Sequence, residues 1–364
     1  MNQDYTILAQ QLNTNPLRVP RHDGEFTQSF IEYLKLLYSE EEVAIVKYLN
    51  PLPKFISTED LARETGFDEK EVMKMLDSLH KRNRLTGMGN MFALPPIPIL
   101  VNIHQFHNET GPDDLKAAKL YLDFFVEKKY SRYYETSEKG TPVFRAVPIE
   151  KTIKSGEKIL EFEEAEQYII TMDHDNFCLV PCPCRSRTDK LGVRECKDKF
   201  DIGYCLMIGF SAIHFQSIGM GQKVTKDEAV NYVKDKIDSG LICCTDNAMT
   251  KNSIICLCCG CCCSQVRGRT RWDNMNAVAP SNFIPMSHDD CIACGKCQKR
   301  CLLGAITIDK EAKMVVVDED KCIGCGVCAV TCSKDSLKLV RQRENKPFTS
   351  AGQMLKAFNL ENVK

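Results

Sequence analysis

Two cysteine-rich stretches decide the fold of the C-terminal part of the chain: CIACGKCQKRC at residues 291–301 and CIGCGVCAVTC at residues 322–332. Each has the spacing Cys-x2-Cys-x2-Cys-x3-Cys, and every cysteine of the second stretch lies 31 residues after its counterpart. The two stretches are therefore an internal duplication. Residues 305–308 and 314–317, which are apolar or alternating and flank a polar turn, predict a β-hairpin between the two halves.

The duplicated pattern closely resembles the bacterial two-cluster [4Fe-4S] ferredoxin domain, in which the fourth cysteine of each run ligates the other cluster. The resemblance implies a ferredoxin-like domain over residues 287–342 that binds two [4Fe-4S] clusters. A zinc ribbon fits poorly, because zinc sites use two cysteine pairs rather than two runs of four. Proline usually follows the fourth cysteine in this family, whereas Leu302 and Ser333 stand there in this chain. Under this resemblance, one cluster is ligated by Cys291, Cys294, Cys297 and Cys332, and the other by Cys322, Cys325, Cys328 and Cys301.

Composition indicates the cellular compartment in which the protein is expected to work. The chain has 364 residues and 21 cysteines, none of which precedes residue 178. The first residues have neither the basic nor the apolar segment of a secretory signal, so a reducing cytoplasm is the expected location and metal ligation is favoured over disulfides. No apolar run approaches the roughly 18 to 20 residues of a membrane span. The 48 basic and 49 acidic residues nearly cancel. The chain therefore has no overall electrostatic field that would favour binding to nucleic acid or to a membrane surface.

A cysteine-rich central domain is predicted over residues 178–286, which contain 13 of the cysteines. The stretches PCPCR at 181–185 and ICLCCGCCC at 255–263 have no simple zinc spacing. One or two additional iron–sulfur clusters are expected here. Cys178 and Cys244 are interpreted as packing thiols, and directly adjacent cysteines are not expected to ligate one cubane together. The favoured ligands are Cys182, Cys184, Cys196, Cys205, Cys256, Cys258, Cys259 and Cys262.

Arginines flank the central cysteines, and Arg185, Arg267 and Arg269 are predicted to contact the cofactor. Positive charge stabilises thiolates and offsets a negative cluster. Recognition of an anionic ligand, such as a thioester or a nucleotide phosphate, stays open as an alternative. The motifs of the common flavin, NAD and ATP sites do not occur in the sequence, so hydride chemistry would need a partner.

The N-terminal residues 1–94 predict three helices followed by a hairpin, which resembles a winged-helix module. Ser39 and Glu42 form a capping-box pattern, and Gly66 is the expected end of the second helix. DNA binding is disfavoured because acids occupy the N-terminal end of the third helix, where a recognition helix enters the major groove. Residues 95–177 are predicted to be a linker with helical and strand segments, and residues 343–364 a C-terminal tail.

The whole arrangement is similar to cytosolic iron–sulfur proteins of anaerobes that join a winged-helix-like N-terminus, a cysteine-rich α/β centre and a C-terminal dicluster ferredoxin domain. The predicted fold class is α+β. The predicted function is electron transfer between two [4Fe-4S] clusters and a central cysteine-bound cluster, as a carrier or as a subunit of an anaerobic oxidoreductase system. The expected partner is a redox protein or a larger oxidoreductase complex, and a homo-oligomer stays open. The alternatives are a reductase with a catalytic, non-cubane central cluster and a redox-sensing winged-helix regulator.

Overall fold

The computed structural model describes residues 2–362, so Met1 of the predicted N-terminal module and residues 363–364 of the predicted tail lie outside the described residues. Helices and strands are mixed along the chain, which confirms the α+β class. The helices are α1 Asn2–Leu12, α2 Gln28–Leu37, α3 Glu40–Val46, α4 Thr58–Thr65, α5 Glu69–Lys81, α6 Ile97–Leu100, α7 Pro112–Leu122, α8 Ser131–Glu135, α9 Ala165–Ile170, α10 Pro183–Lys190, α11 Phe210–Ser217, α12 Lys226–Ser239, α13 Val266–Arg271, α14 Lys296–Arg300 and α15 Ala351–Glu361. The strands are β1 Arg21–His22, β2 Glu25–Phe26, β3 Ile56–Ser57, β4 Thr86–Met88, β5 Met91–Ala93, β6 Phe144–Ala146, β7 Phe177–Pro181, β8 Tyr204–Ile208, β9 Gln222–Val224, β10 Ile242–Asp246, β11 Ala248–Thr250, β12 Ile254–Cys258, β13 Val278–Ala279, β14 Phe283–Ser287, β15 Ile306–Asp309, β16 Met314–Val317, β17 Leu337–Arg341 and β18 Phe348–Ser350.

Local capping signals set the helices of the N-terminal region. The capping box predicted at Ser39 and Glu42 is present at the start of α3, where each residue's side chain accepts a hydrogen bond from the other's backbone N–H. The helix α4 ends at Gly66, whose φ of +77° is the left-handed conformation that glycine adopts readily. Strand β3, which precedes α4, joins the later strands β5 and β4 in a small antiparallel sheet. Membership of the winged-helix class stays a prediction.

One hydrophobic core joins the N-terminal helices to later parts of the chain. It includes buried residues of α1, α2 and α7, and it continues beyond residue 94. Phe30 of α2 contacts Phe124, which follows α7, with ring centroids 5.8 Å apart in an edge-to-face arrangement. Met354 and Phe358 of α15 are buried in the same core. The domain boundaries therefore stay predictions, while the core itself spans residues from both ends of the described chain.

A seven-stranded sheet forms the centre of the molecule, in the order β13-β6-β10-β12-β8-β7-β9. The helix α12 packs on one face through Val233 and Ile237. The helix α11 packs on the other face through Ala212 and Phe215. Four of the strands carry cysteines, so the sheet fixes the spacing of the central thiols.

The C-terminal part contains the predicted hairpin, because β15 pairs with β16 in antiparallel register. A second antiparallel pair, β14 with β17, closes this region. Within residues 2–362, no helix combines the length and the apolar character needed to cross a membrane.

Glu135 is a buried carboxyl group at the end of α8. Asn274 Nδ2 donates a hydrogen bond to its Oε2 over 2.9 Å. Its Oε1 is buried and has no hydrogen-bond partner among the described residues. Burial raises the pKa of Glu135 to about 8, although Asn274 and the charge of Arg267 act in the opposite direction. Glu135 is therefore mainly protonated at neutral pH.

This raised pKa predicts a pH-dependent contribution to stability. The native state binds more protons than the unfolded state between the ordinary value of 4.5 and the native value of about 8. The contribution is fully present below the lower value and declines as pH rises, by up to about 1.4 kcal/mol per pH unit. The Glu135→Gln variant should therefore gain thermal stability relative to the wild type as the pH is raised from about 5 to 8. Anaerobic thermal unfolding measures this difference, with exposed Glu138→Gln as the control. A difference that does not change with pH would contradict the expected result.

Candidate metal and cluster centre

Eight C-terminal cysteines line two separate cavities. Each cavity draws three cysteines from one run and one from the other run. We name the two sets the outer group and the inner group. The outer group is Cys291, Cys294, Cys297 and Cys332. The inner group is Cys301, Cys322, Cys325 and Cys328.

The two groups differ in exposure. Cys294 of the outer group is exposed, and the neighbouring Ile292 is 55% exposed. In the inner group Cys322 and Cys328 are buried. Burial raises the pKa of Cys325 to about 12, and it also raises the pKa of Cys328. These thiols become thiolates at neutral pH only when a cation such as iron compensates the burial, which fits a cluster site.

Gly324 allows the backbone of the inner group to pack closely against Ser281 and Phe283. Its φ is +64°, and an added Cβ would lie 2.1 Å from the carbonyl oxygen of Phe283 and 2.3 Å from Ser281 Oγ. Ser281 Oγ in turn donates a hydrogen bond to the carbonyl oxygen of Gly324 over 2.8 Å. A side chain at this position would therefore displace the backbone that carries Cys322 and Cys325.

Strand register brings the central cysteines to one face of the sheet. Cys244 of β10 lies directly opposite Cys256 of β12. Side chains that are opposite one another, or two residues apart on a strand, share a face, so Cys258 lies on this face as well. The strand β8 adds Cys205 next to Cys256, with 3.9 Å between their Sγ atoms. The sheet thus positions four thiols side by side.

Six thiols form a closed ring on this face, which we name the thiol ring. Cys263, from the loop after β12, folds back so that its Sγ lies 3.2 Å from Cys258 Sγ. Cys182 caps α10 and interacts with both Cys184 and Cys205, while Cys184 also interacts with Cys263. Cys258 and Cys256 interact with each other and close the ring. In order, the ring is Cys182, Cys184, Cys263, Cys258, Cys256 and Cys205.

Hydrogen bonding within the ring shifts the pKa values of its members in opposite directions. Hydrogen bonds from Cys182 and Cys256 lower the pKa of Cys205 to about 6. Hydrogen bonds from Cys182 and Cys263 hold the pKa of Cys184 well below its usual range. Thiolates are the form that binds iron. The ring is therefore disposed to ligate a metal.

Four further thiols converge beside the ring, and we name them the thiol quartet. They are Cys196, Cys259, Cys261 and Cys262, whose sulfur atoms all lie within 4.8 Å of one another. Three come from the loop that follows β12, and Cys196 comes from the segment after α10. Cys261 is half-buried and the other three are buried.

Arg185 lies between the ring and the quartet. Its Nε donates to the carbonyl oxygen of Ile202 over 2.6 Å, and its Nη1 to that of Leu257 over 2.7 Å. Burial alone would lower its pKa, but the charges of Cys182 and Cys259 more than offset this effect, so that the pKa is raised. Its buried Nη2 has no hydrogen-bond partner among the described residues. A free donor on a buried cation between thiolates fits a negatively charged iron–sulfur group at this place.

The other two predicted arginines have different surroundings. Arg267 lies over the ring of Trp272, 4.6 Å from its centroid, and its charge interacts with Cys184. Arg269 donates to the carbonyl oxygen of Val278 over 3.2 Å, and its charge interacts with Cys322 of the inner group. Their role in cofactor binding stays a prediction.

The sequence alone did not show which central cysteines lie together, whereas the structure does. All eight favoured cysteines occur in the ring or the quartet, but Cys261 and Cys263 were missed. The turn at Gly260 points successive cysteines in different directions, and only a three-dimensional structure shows which ones meet. Cys244, interpreted from sequence as a packing thiol, is hydrogen-bonded to Cys258, whereas Cys178 is buried outside both sets.

The inner group lies against the thiol ring. Hydrogen bonding to Cys258 is the main cause of the raised pKa of Cys244, and the charge of Cys325 adds to it. Val327 packs in the same apolar cluster as Cys244 and Cys258. Ile242, the first residue of β10, lines the inner cavity. The C-terminal and central cysteine sets are therefore contiguous.

Two basic residues at the end of the predicted recognition helix form ion pairs with other residues of the chain. Lys81 pairs with Asp77 over 2.7 Å, and Arg82 pairs with Glu42. Arg84 is half-buried, and its partial removal from water lowers its pKa. These contacts leave less positive charge for phosphate groups than the sequence alone suggests.

Comparison with known proteins identifies one part of the chain. Residues 290–336 match the family described as a 4Fe-4S dicluster domain. This match establishes an iron–sulfur domain at the C-terminus, which indicates electron transfer with a redox partner. No curated protein and no solved structure matches the chain.

Replacing Gly324 tests the close approach at the inner group. The Gly324→Ala variant should lose iron from this group and be destabilised by roughly 1 to 3 kcal/mol, because its methyl group overlaps Phe283 and Ser281. Gly304→Ala is the matched control, since Gly304 has a φ of +63° and no atom within 4 Å of an added Cβ. Iron content and anaerobic thermal unfolding measure the two effects. Equal losses in both variants would show that backbone strain, not the overlap, is responsible.

Proposed function

We propose that this protein is an iron–sulfur electron-transfer protein, or a redox subunit of an anaerobic oxidoreductase system, that passes electrons between a partner and its cysteine-rich centre. The outer group would ligate one [4Fe-4S] cluster, and the inner group the other. Such clusters supply one-electron chemistry at potentials that charge, hydrogen bonds and exposure adjust. The dicluster match supports the first part of this proposal, and the arrangement of the thiols supports the rest.

The outer group is the proposed docking side for the redox partner. Cys294 and Ile292 are exposed there, so a partner can approach closely. An exposed apolar residue beside a ligand suits a protein surface that is covered during contact. The inner group, with two buried cysteines, lies between this surface and the central sheet.

The observation that carries the proposal is that Cys325 of the inner group packs against the apolar cluster that contains Cys258 of the thiol ring. Cys325 acts electrostatically on Cys244, which is hydrogen-bonded to Cys258 of the ring. The path from the exposed Cys294 to the ring is thus lined by cysteine sets that adjoin one another. We propose that electrons follow this order.

The thiol ring is the proposed site of a third iron–sulfur cluster. Six thiols exceed the four that a cubane uses, which favours a larger or non-cubane cluster. Four of the ring thiols are buried. Electron transfer tolerates such burial, whereas the alternative function as a reductase requires that a substrate reach the cluster. Burial therefore favours electron transfer.

Iron content and spectroscopy test the presence of the third cluster. Protein purified without oxygen should contain more than the about eight iron atoms that two cubanes supply. The Cys256→Ala variant should lose the iron of this third cluster and one component of the EPR spectrum of the reduced protein, because it opens the ring. Cys178→Ala is the matched control, a buried thiol outside both central sets. Fewer than about eight iron atoms at full occupancy would contradict the two-cubane assignment itself.

Rapid mixing tests the direction of electron flow. A reduced two-cluster ferredoxin serves as a protein donor too large to reach the buried ring directly. In the Cys294→Ala variant the ring-bound cluster should be reduced several times more slowly than in the wild type, because the entry site is damaged. The Cys178→Ala variant should keep the wild-type rate. An unchanged rate in Cys294→Ala would show that electrons enter elsewhere.

A further inference from the structure

The thiol quartet has the dimensions of a single-ion site. Its Sγ–Sγ distances are 3.8 Å for Cys196–Cys259, 3.7 Å for Cys196–Cys262, 3.8 Å for Cys259–Cys261 and 3.5 Å for Cys261–Cys262. An ion with metal–sulfur bonds of about 2.3 Å holds its four tetrahedral ligands about 3.8 Å apart. A cubane holds each thiolate on a separate iron, so its four sulfur ligands stand further apart.

We infer that Cys196, Cys259, Cys261 and Cys262 bind one tetrahedral metal ion that prefers thiolate ligands, of the zinc or iron class. Four protein ligands complete the tetrahedron and leave no position for water or substrate. This is the pattern of a structural ion rather than of a catalytic one. Binding releases the protons of those thiols that still carry one. The assignment does not depend on the electron-transfer function proposed above.

The local chain explains how adjacent cysteines reach one ion. Gly260 stands between Cys259 and Cys261, and an added Cβ there would lie 2.8 Å from the carbonyl oxygen of Leu302. The backbone therefore turns tightly against the C-terminal domain at this point. The turn directs Cys259, Cys261 and Cys262 toward Cys196, while Cys258 and Cys263 on either side point into the thiol ring.

Charge around the quartet suits a site with four thiolates and a divalent ion, whose net charge is negative. The charge of Arg185 interacts with Cys259, and that of Arg271 interacts with Cys261 and Cys262. Thr188 Oγ1 donates a hydrogen bond to Cys262 Sγ over 3.1 Å. The sulfur ligands thus have the positive charge and hydrogen-bond donor that thiolate sites use.

The bound ion would fix the junction between the central and C-terminal domains. Three of its ligands lie in the loop that follows Cys258, supplies Cys263 to the ring and approaches Leu302 at Gly260. The fourth ligand, Cys196, follows Glu195, whose carboxylate pairs with Arg271 over 2.5 Å. Anchoring this loop therefore positions the ring relative to the inner group.

Metal analysis of the full chain, purified without oxygen, tests the inference. If the ion is zinc, the wild type contains one zinc per chain, and X-ray absorption shows four sulfur neighbours at about 2.3 Å with no metal neighbour. If the ion is iron, Mössbauer spectra of the wild type contain a mononuclear component beside the cluster iron. The Cys261→Ala variant loses this one ion and keeps the EPR spectrum of the reduced dicluster domain, while Cys178→Ala keeps the ion.

Two results would overturn the inference. One is a wild-type protein with neither a zinc ion in four-sulfur coordination nor a mononuclear iron component. The other is a Cys261→Ala variant that loses about four iron atoms together, which would identify a cubane in the quartet. Cys196→Ala provides a second variant from a separate segment. The wild-type spectra decide the question even when both variants fail to fold.

Discussion

Cross-strand register in the central sheet is the constraint on which the cysteine-rich centre depends. Cys244 lies opposite Cys256, and Ile242 lies opposite Cys258. A slip of one residue would turn Cys256 and Cys258 toward the opposite face, where α12 packs with apolar side chains. Of the remaining ring cysteines, Cys205 lies next to Cys256 and Cys263 next to Cys258, so both depend on this register for a neighbour.

The concentration of thiolates creates a second demand, which buried arginines meet. Arg187 is buried, lies 3.4 Å from the ring centroid of Tyr121 in α7, and donates to Ser264 Oγ over 2.9 Å. The backbone N–H of Ser264 donates to Cys184 Sγ over 3.5 Å. An aromatic residue of the N-terminal core thereby supports a cation next to the ring. The core that α7 shares with the N-terminal helices is thus part of the environment of the central cysteines.

Sequence patterns predicted the parts of the molecule that local rules govern. The hairpin of β15 and β16, the capping box at Ser39 and the glycine end of α4 depend on residues that are close in sequence. The dicluster domain was predictable because its cysteine spacing repeats after 31 residues.

The division of the central cysteines into a ring and a quartet was not predictable from spacing. It depends on the pairing of strands distant in sequence and on the turn at Gly260, where neighbouring side chains separate. The rule that adjacent cysteines diverge describes Cys262 and Cys263, which join different sets, but Cys261 and Cys262 lie 3.5 Å apart at their sulfur atoms. The burial of Met354 and Phe358 in the core shared with α1, α2 and α7 depends on packing between distant parts of the chain, which no local pattern in residues 343–364 shows.

The position of α15 constrains how the protein is made. Met354 and Phe358 fill the core built by α1, α2 and α7, and β18 pairs with β11 of the central domain. During synthesis the first helices leave the ribosome long before residues 351–361 do, so their shared core stays incomplete until those residues have been made. The cysteine-rich segments emerge within that interval. Until α15 has been made, the cysteines therefore belong to a chain whose N-terminal core is still open.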